Sequence, residues 1–206
     1  AGSVEAILAR AVEEARALEA GGLDALIVEN FGDAPFTPSA VDPAVIATMT
    51  AVVVEVRRAT PLPVGLNVLK IDARASLAVA HAAGGRFIRI NVHVGAAVTD
   101  QGILQGDAYH TLRYRRAIGA EVLIFADVQA KHGVPLAPID LEQEARDAAY
   151  RGLADALIVS GKATGEATDL ERVRRVKRAV PDRPILVGSG ATADSVAKIL
   201  EVADGL

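Results

Sequence analysis

The segment DLEQEARDAAYRGLADALIVS, residues 140–160, decides the fold because it holds the start of a helix followed by a strand. Asp140-Leu-Glu-Gln143 has the pattern of a capping box at a helix N-terminus, and Thr168-Asp-Leu-Glu171 has the same pattern later in the chain. Ala156–Ser160 is an apolar run with the length of a buried strand. The same unit occurs earlier in the chain, with Ala154 as a single inserted residue in the later copy. The matching pieces are Glu14-Ala-Arg16 and Glu144-Ala-Arg146, Gly22-Leu23 and Gly152-Leu153, and Asp24–Val28 and Asp155–Val159.

Short apolar strands and amphipathic helices alternate along the rest of the chain, which is typical of parallel βα units. The first predicted helix runs from Ser3 to Ala20, and residues 203–206 have the pattern of a strand that is just beginning. The six complete predicted strands are Ala25–Glu29, Val64–Val68, Phe87–His93, Val122–Val128, Ala156–Ser160 and Ile185–Gly188.

This order of elements predicts an α/β protein of the (β/α)8 TIM-barrel class. Because the chain starts on a helix, we expect it to lack the first strand before Ala1 and most of the eighth after Leu206. The repeat lies four strands apart, as a barrel of two similar halves would show, with chance similarity as the alternative. We therefore expect residues 1–206 to form a single barrel domain, incomplete at both ends. An open doubly wound sheet is the competing interpretation.

The composition excludes several classes of protein. Hydrophobic residues make up 51% of the 206 residues, which is enough to form a core. The chain has no cysteine, which excludes a disulfide framework, a thiolate zinc site and a cysteine nucleophile. A net charge of −4, 3% aromatic residues and no tryptophan argue against a nucleic-acid partner. The apolar runs are too short to span a membrane, and the N-terminal residues do not resemble a secretory signal, so we expect a cytoplasmic protein.

Polar residues gather where the predicted strands end. The connections that follow strands are long, and those that follow helices are short, which places the expected site at the carboxyl ends of the strands. Strand alternation predicts that Arg89, Asn91 and His93 share one face. The candidate catalytic residues are His93, Asp127, Glu29 and Lys131, and the candidate substrate-binding residues on the strands and loops are Asn30, Asn67, Arg89, Asn91, His132 and Ser160.

Each of these candidates also has a purely structural interpretation. Arg89 could pair with Glu29 or Asp127 and fill a polar layer, and His93 could be a satisfied core histidine. The amides of Asn67 and Asn91 could bind loop backbone, while Lys131 and His132 could simply be exposed. Their joint occurrence favours a site, because a core built only for stability would use Val, Ile and Leu in those layers.

Gly188-Ser189-Gly190 is the candidate phosphate site, since it lies between a strand and the start of a helix. Two other motifs are set aside. Ser160-Gly-Lys-Ala-Thr164 lacks the upstream glycine of a nucleotide-binding loop. The spacing of Glu29, His93, Asp127 and His132 matches no dedicated metal site, so we expect no bound metal and no cofactor. The basic run from Arg172 to Arg178 is interpreted as the solvated face of a helix.

Several long motifs resemble the BtpA/SgcQ family. They are residues 24–36, DALIVENFGDAPF; residues 87–93, FIRINVH, continuing to residues 98–102, VTDQG; residues 126–128 with Lys131 and His132; and residues 152–161, GLADALIVSG. The resemblance extends over nearly the whole chain. It implies a ribulose-phosphate-binding type of barrel, and it directs attention to the strand-end residues already named, with Asp33 and Asp100 in addition. The family takes its name from a protein needed for photosystem I biogenesis, and no settled reaction comes with that name.

Two functions follow as hypotheses. The first is an enzyme that acts on a small phosphorylated sugar- or nucleoside-like metabolite, as an isomerase, a lyase or a hydrolase of glycosidic bonds. In it, His93, Asp127 or Glu29 moves protons, Arg89 and Gly188–Gly190 bind the anion, and Lys131 stabilises an anion or forms an imine. The second is a non-catalytic biogenesis factor for a membrane protein complex, which the family name motivates. We expect a homo-oligomer, and peripheral association with a membrane stays open.

Overall fold

The computed structural model describes residues 3–161 and 165–206. The described residues fall into two compact units. The first contains the residues up to Arg89 together with Arg113–Val122, and the second contains Ile90–Leu112 and the described part of Leu123–Leu206. The predicted single domain, incomplete at both ends, stays a prediction.

In the first unit, helices alternate with the parallel strands β1, β2 and β3, which are hydrogen-bonded in that order. Ser3 caps the first helix, because its Oγ accepts a hydrogen bond from the Ala6 amide at 3.2 Å. The elements are α1 (Val4–Ala20), β1 (Leu26–Glu29), a 3-10 turn (Phe31–Asp33), α2 (Pro43–Ala59), β2 (Val64–Asn67), α3 (Ala73–Ala83) and β3 (Phe87–Ile90). The last residue of β3 belongs to the second unit.

In the second unit, a parallel sheet and an antiparallel sheet coexist. The parallel strands are hydrogen-bonded in the order β6-β8-β9, and the antiparallel ones in the order β5-β4-β7. The elements are β4 (Ala96–Thr99), β5 (Gly102–Gln105), β6 (Leu123–Val128), β7 (Gly133–Pro135), α5 (Leu141–Arg146) with a π-helical turn (Asp147–Arg151), β8 (Ala156–Val159), α6 (Leu170–Ala179), β9 (Ile185–Val187) and α7 (Val196–Leu200). The residues of α4 (Ala108–Ala117) are divided between the two units.

The strand beginning at the C-terminus is present as a parallel bridge between Leu186 and Gly205. The Val187 amide donates to the Gly205 carbonyl at 3.0 Å, and the Asp204 amide donates to the Ile185 carbonyl at 2.8 Å. The expectation that a further strand starts after α7 is therefore confirmed.

One face of each parallel sheet is apolar and packs on helices. In the second unit this face comprises Ala126, Val128, Leu157, Val159, Ile185 and Val187, which share one buried cluster with residues of α5, α6 and α7. Side chains alternate along a strand, so the intervening residues lie on the opposite face. Asp127 is paired in register with Ile158 and therefore lies on that opposite face. The fold thus directs the strand-end polar groups away from the helices.

The helix starts differ in detail from the two predicted capping boxes. Asp169, rather than Thr168, caps α6 by accepting a hydrogen bond from the Glu171 amide at 2.9 Å. The side chain of Asp140 makes no capping hydrogen bond at the start of α5, because its Oδ1 faces Arg175 at 3.3 Å. The sequence pattern locates both helix starts to within one residue but does not identify every capping contact.

Arg175 on α6 binds Glu142 on α5 in a two-bond ion pair, with Nε–Oε1 at 2.6 Å and Nη2–Oε2 at 2.7 Å. These hydrogen bonds, together with one from Asp140, lower the pKa of Glu142 from its ordinary value of 4.5 to about 2. A carboxyl group whose pKa is lower in the folded state than in the unfolded state stabilises the fold at pH values above its unfolded pKa. That contribution is lost as the pH falls from about 4.5 towards 2.

We therefore expect Glu142→Gln to flatten the acid limb of the stability curve. In urea titrations at pH values from roughly 6 down to 2, the free energy of unfolding of the wild type should fall more steeply than that of the variant. Identical slopes would show that the ion pair contributes no net stability.

Candidate active site

In the first unit, three of the predicted residues meet at the carboxyl ends of adjacent strands. Glu29 and Asn67 are partners in the register of β1 and β2. The Asn67 side-chain amide donates to Glu29 Oε1 at 3.0 Å, and Arg89 Nη1 lies 3.5 Å from the same oxygen. The structure thus shows the pairing of Arg89 with Glu29 that was one of the two structural interpretations of this arginine. Whether the cluster also binds a ligand stays a prediction.

Asn30 serves as a link between two loops of the first unit. Its Oδ1 accepts a hydrogen bond from the Leu69 amide at 2.7 Å, and its Nδ2 donates to Asp33 Oδ2 at 3.1 Å. A cleft of about 190 Å³ lies beside it, between Phe36 and Val45. With both atoms of its amide engaged in the protein, Asn30 has an evident structural role, and its predicted contact with substrate stays a prediction.

In the second unit, Asn91 and Asp127 form a buried pair. The Asn91 side-chain amide donates to Asp127 Oδ2 at 2.9 Å, and the two residues are only 8% and 5% exposed. Asn91 directly follows β3, and Asp127 is the penultimate residue of β6. A buried carboxylate needs such a donor, because burying it without one is costly. Two predicted site residues are therefore in direct contact.

A cavity of about 670 Å³ opens beside this pair. Its walls combine the segment after β3, the end of β6, residues of the three antiparallel strands and the loop before α5. Glu144 on α5 and Asp147 on the π-helical turn complete the lining. Its polar lining residues are Asn91, Gln105, Asp127, Gln129, Glu144 and Asp147. Among the described residues that line it, three carry carboxyl groups and none is a lysine, arginine or histidine. The cavity has the size and mixed lining of a small-molecule site.

Glu144 is the functional candidate that the sequence did not reveal. Its Oε1 accepts a hydrogen bond from the Gln129 backbone amide at 3.0 Å, while its Oε2 is buried with no hydrogen-bond partner among the described residues. Burial raises the pKa of Glu144 above its ordinary value, against the opposing effects of the Gln129 hydrogen bond and the Arg172 charge. Gln129 itself has φ of +53°, an uncommon conformation for a residue other than glycine.

His93 lies away from the lining of this cavity. It is 1% exposed, and its Nε2 is 2.8 Å from the Gly152 carbonyl oxygen. The predicted strand over residues 87–93 is too long, since β3 ends at Ile90, so alternation does not carry His93 to the face of Asn91. A Cβ on Gly152 would lie 3.0 Å from the His93 ring, which shows how closely the two pack. The catalytic role of His93 stays a prediction, and the packing supports its structural interpretation.

Lys131 and His132 lie in the loop between β6 and β7. His132 is exposed with φ of +56°, and Lys131 is half-buried. Neither residue lines the 670 Å³ cavity, although the neighbouring Ala130 and Gly133 do. Their predicted roles as an anion-stabilising group and a binding group are therefore untested.

The loop Gly188-Ser189-Gly190 packs against the loop that precedes α6. The Gly165 amide donates to Ser189 Oγ at 3.2 Å, and a Cβ on Gly190 would overlap the Glu166 carbonyl oxygen. Ser160, at the end of the neighbouring strand, is 4% exposed, and its Oγ has no hydrogen-bond partner in the part of the chain that the structure describes. Gly190 thus has a steric reason to be a glycine, and phosphate binding by this loop stays a prediction. Residues 162–164 of the rejected nucleotide-loop motif lie outside the described residues.

No group of three or more His, Cys, Asp or Glu side chains in residues 3–161 and 165–206 is arranged to hold a metal ion. None of the helices described is both long enough and apolar enough to cross a membrane.

Comparison with solved structures shows the fold. The chain matches the phosphoribosyl anthranilate isomerase of Thermus thermophilus with a TM-score of 0.56 and 15% identity, over 95% of this chain and 80% of that one. It matches the YdjI aldolase of Escherichia coli with a TM-score of 0.51 and 16% identity, over 95% of this chain and 66% of that one. These are TIM-barrel enzymes, so the predicted α/β barrel class is confirmed.

Comparison of sequences shows the family. The photosystem I biogenesis protein BtpA of Synechocystis is 44% identical over 205 residues, which cover all of this chain and 71% of that protein. The protein MJ1115 of Methanocaldococcus jannaschii is 40% identical over 195 residues, which cover 95% of this chain and 73% of that protein. The model of the BtpA family matches residues 1–206. The chain therefore belongs to the BtpA family.

Proposed function

We propose that this protein is a barrel enzyme that acts on a small phosphorylated sugar- or nucleoside-like metabolite by acid/base chemistry. The observation that carries the proposal is the buried Asn91–Asp127 pair on the wall of a 670 Å³ cavity. A carboxylate held by an amide at the ends of barrel strands has the position in which enzymes of this fold keep catalytic groups. A pocket with a few converging polar groups is the usual form of a small-molecule site.

In this proposal Asp127 takes a proton from the substrate. Asn91 holds the carboxylate through Oδ2, so that its orientation is set before the substrate binds. Such a base typically contributes to the steps of isomerisation, of lyase reactions and of glycosidic bond cleavage.

The phosphate group of the substrate needs a separate subsite. Gly188–Gly190, with the buried hydroxyl of Ser160 one strand away, is our proposal for it. Arg89, Asn67 and Glu29 form a second polar group at strand ends, in the first unit, and are candidates for substrate contact. One of the structurally similar enzymes is named for a phosphoribosyl substrate, which is in keeping with a phosphorylated ligand.

A second candidate function is that of a non-catalytic biogenesis factor for a membrane protein complex. The name of the Synechocystis relative favours it. So does an exposed apolar row across the antiparallel sheet, where Val98 is paired with both Ile103 and Val134. These three side chains are 45%, 61% and 69% exposed, and exposed apolar rows of this kind often contact partners.

Thermal unfolding in the presence of a panel of phosphorylated metabolites distinguishes the two functions. The enzyme proposal expects one class of sugar or nucleoside phosphate to stabilise the fold, by about 2.7 kcal/mol at a hundredfold excess over the dissociation constant. The matching unphosphorylated compounds and inorganic phosphate are the controls. If no compound shifts the transition, while the chain restores photosystem I in a Synechocystis strain lacking its relative, the enzyme proposal fails.

A further inference from the structure

We infer that the 670 Å³ cavity binds an uncharged, hydroxyl-rich part of the ligand and that Glu144 serves there as a protonated carboxyl group. This inference deepens the proposed function, on which it rests only for the existence of a ligand. The sugar-like part of the ligand would then bind in this cavity, and any phosphate group would bind at a different subsite.

The first support is the charge of the cavity wall. Asp127, Glu144 and Asp147 line it, and no cationic side chain does so among the described residues. A phosphate group brought next to these carboxyl groups would be repelled, because like charges interact strongly where water is partly excluded. Ligand hydroxyl groups can bind to the same residues. They donate hydrogen bonds to carboxylate and amide oxygens, and they accept hydrogen bonds from amide nitrogens.

The second support is the geometry of Glu144. Its Oε1 already accepts the Gln129 amide hydrogen bond, so the proton of a neutral carboxyl group resides on Oε2. Oε2 is buried and has no hydrogen-bond partner among the described residues. A buried polar atom of this kind is costly unless something satisfies it. Glu144 lines the cavity, so a rotation of its carboxyl group that brings Oε2 to the wall would let a hydroxyl or carbonyl oxygen of a ligand supply the missing acceptor.

The charged groups around Glu144 act in both directions. Desolvation is the largest effect on the pKa of Glu144 and raises it, whereas the hydrogen bond from the Gln129 amide lowers it. The charge of Arg172 on α6 also lowers this pKa, and Asp147 on the following turn raises it. Arg172 is itself engaged with Gln129, whose side-chain oxygen accepts its hydrogen bond at 3.0 Å. Asp127 lines the same cavity and adds a further carboxyl group to it. Glu144 should therefore stay protonated up to a higher pH than an ordinary glutamate does.

This arrangement gives the two carboxyl groups different tasks. Asp127 accepts a proton from the ligand, and Glu144 donates its own to a ligand oxygen. The number of protons on the protein is unchanged after the exchange, because one is taken up as one is released. No oxidant, metal or further reactant is needed for this step.

The test follows the titration of Glu144 by carbon NMR of protein labelled in the glutamate carboxyl groups. Glu144→Gln identifies the signal by its absence and keeps an oxygen to accept the Gln129 amide hydrogen bond. Glu142→Gln is the matched control, two residues away on the same helix. We expect the Glu144 signal to titrate above 4.5, the ordinary glutamate value, and Glu142 to titrate well below it.

The ligand arm of the test adds D-ribose or inorganic phosphate at equal concentrations. D-ribose should raise the midpoint of Glu144 further, because a ligand that accepts its proton stabilises the neutral form, and phosphate should leave it unchanged. A midpoint at or below the ordinary value, no response to D-ribose, or an equal response to phosphate would each overturn the inference. None of these outcomes depends on turnover, so the proposed enzyme activity is judged separately by the metabolite panel.

Discussion

Asp127→Asn is expected to lower kcat/KM of the reaction by about 10²- to 10⁴-fold, which is the range that a positioned general base contributes. The asparagine oxygen can still accept the hydrogen bond that Asn91 donates at 2.9 Å, so the local structure should be kept. What is lost is the ability to take up a proton. The measurement is steady-state kinetics with the compound that stabilises the fold in the metabolite panel.

Asp194→Asn is the matched control for this experiment. Asp194 lies in the same unit but is exposed, so the same chemical change there should leave kcat/KM within error of the wild type. The unfolding temperature of both variants should be measured alongside, because an undamaged fold is needed to interpret the kinetics. Full activity in a well-folded Asp127→Asn protein would remove the central residue of the proposed mechanism.

Gly190→Ala is expected to destabilise the fold by about 3 kcal/mol, through backbone strain and steric overlap together. Gly190 has φ of +72°, and an added Cβ would overlap the Glu166 carbonyl oxygen in the neighbouring loop. Both effects oppose a side chain at this position. Urea unfolding followed by circular dichroism gives the change in free energy, which would be a large fraction of a typical stability.

Gly165→Ala separates the two contributions. Gly165 has a similar φ of +78°, but an added Cβ there meets no atom within 4 Å. This variant should lose only about 1 kcal/mol, the cost of a left-handed conformation in a residue with a side chain. Equal losses at the two positions would mean that the contact with Glu166 does not matter, and the loop would then be free to serve a ligand.

The parallel part of the fold was predictable because its signal is local. Six apolar runs of strand length mark the parallel strands, and runs such as Ala25–Glu29 and Val122–Val128 locate them within a few residues. The antiparallel strands were not predictable. β4, β5 and β7 are three or four residues long and include Gly102, Gly133 and Pro135, which are unfavourable in strands. Their pairing joins segments distant in sequence, which no local pattern encodes.

The site was predictable only in part, for the same reason. Asn91 and Asp127 were found because polar residues at strand ends break an otherwise apolar pattern, and the structure brings these two together. His93 was grouped with them on the assumption that the strand continues, but β3 ends three residues earlier. Glu144 was missed because acidic residues are ordinary in the first turn of a helix. Its repeat partner Glu14 is exposed and pairs with Arg10, so the repeat gave no indication either.

The antiparallel sheet also joins, by backbone hydrogen bonds, two connections that are distant in sequence. β4 and β5 belong to the connection that follows β3, whereas β7 belongs to the connection that follows β6, and β4 is bonded to both partners. The segments that carry Asn91 and Asp127 are therefore coupled by a ladder of backbone bonds as well as by their side chains. Because β4 is hydrogen-bonded to both partners, opening one connection would strain the other. We therefore expect the two connections, which both line the cavity, to open and close together when a ligand enters or leaves.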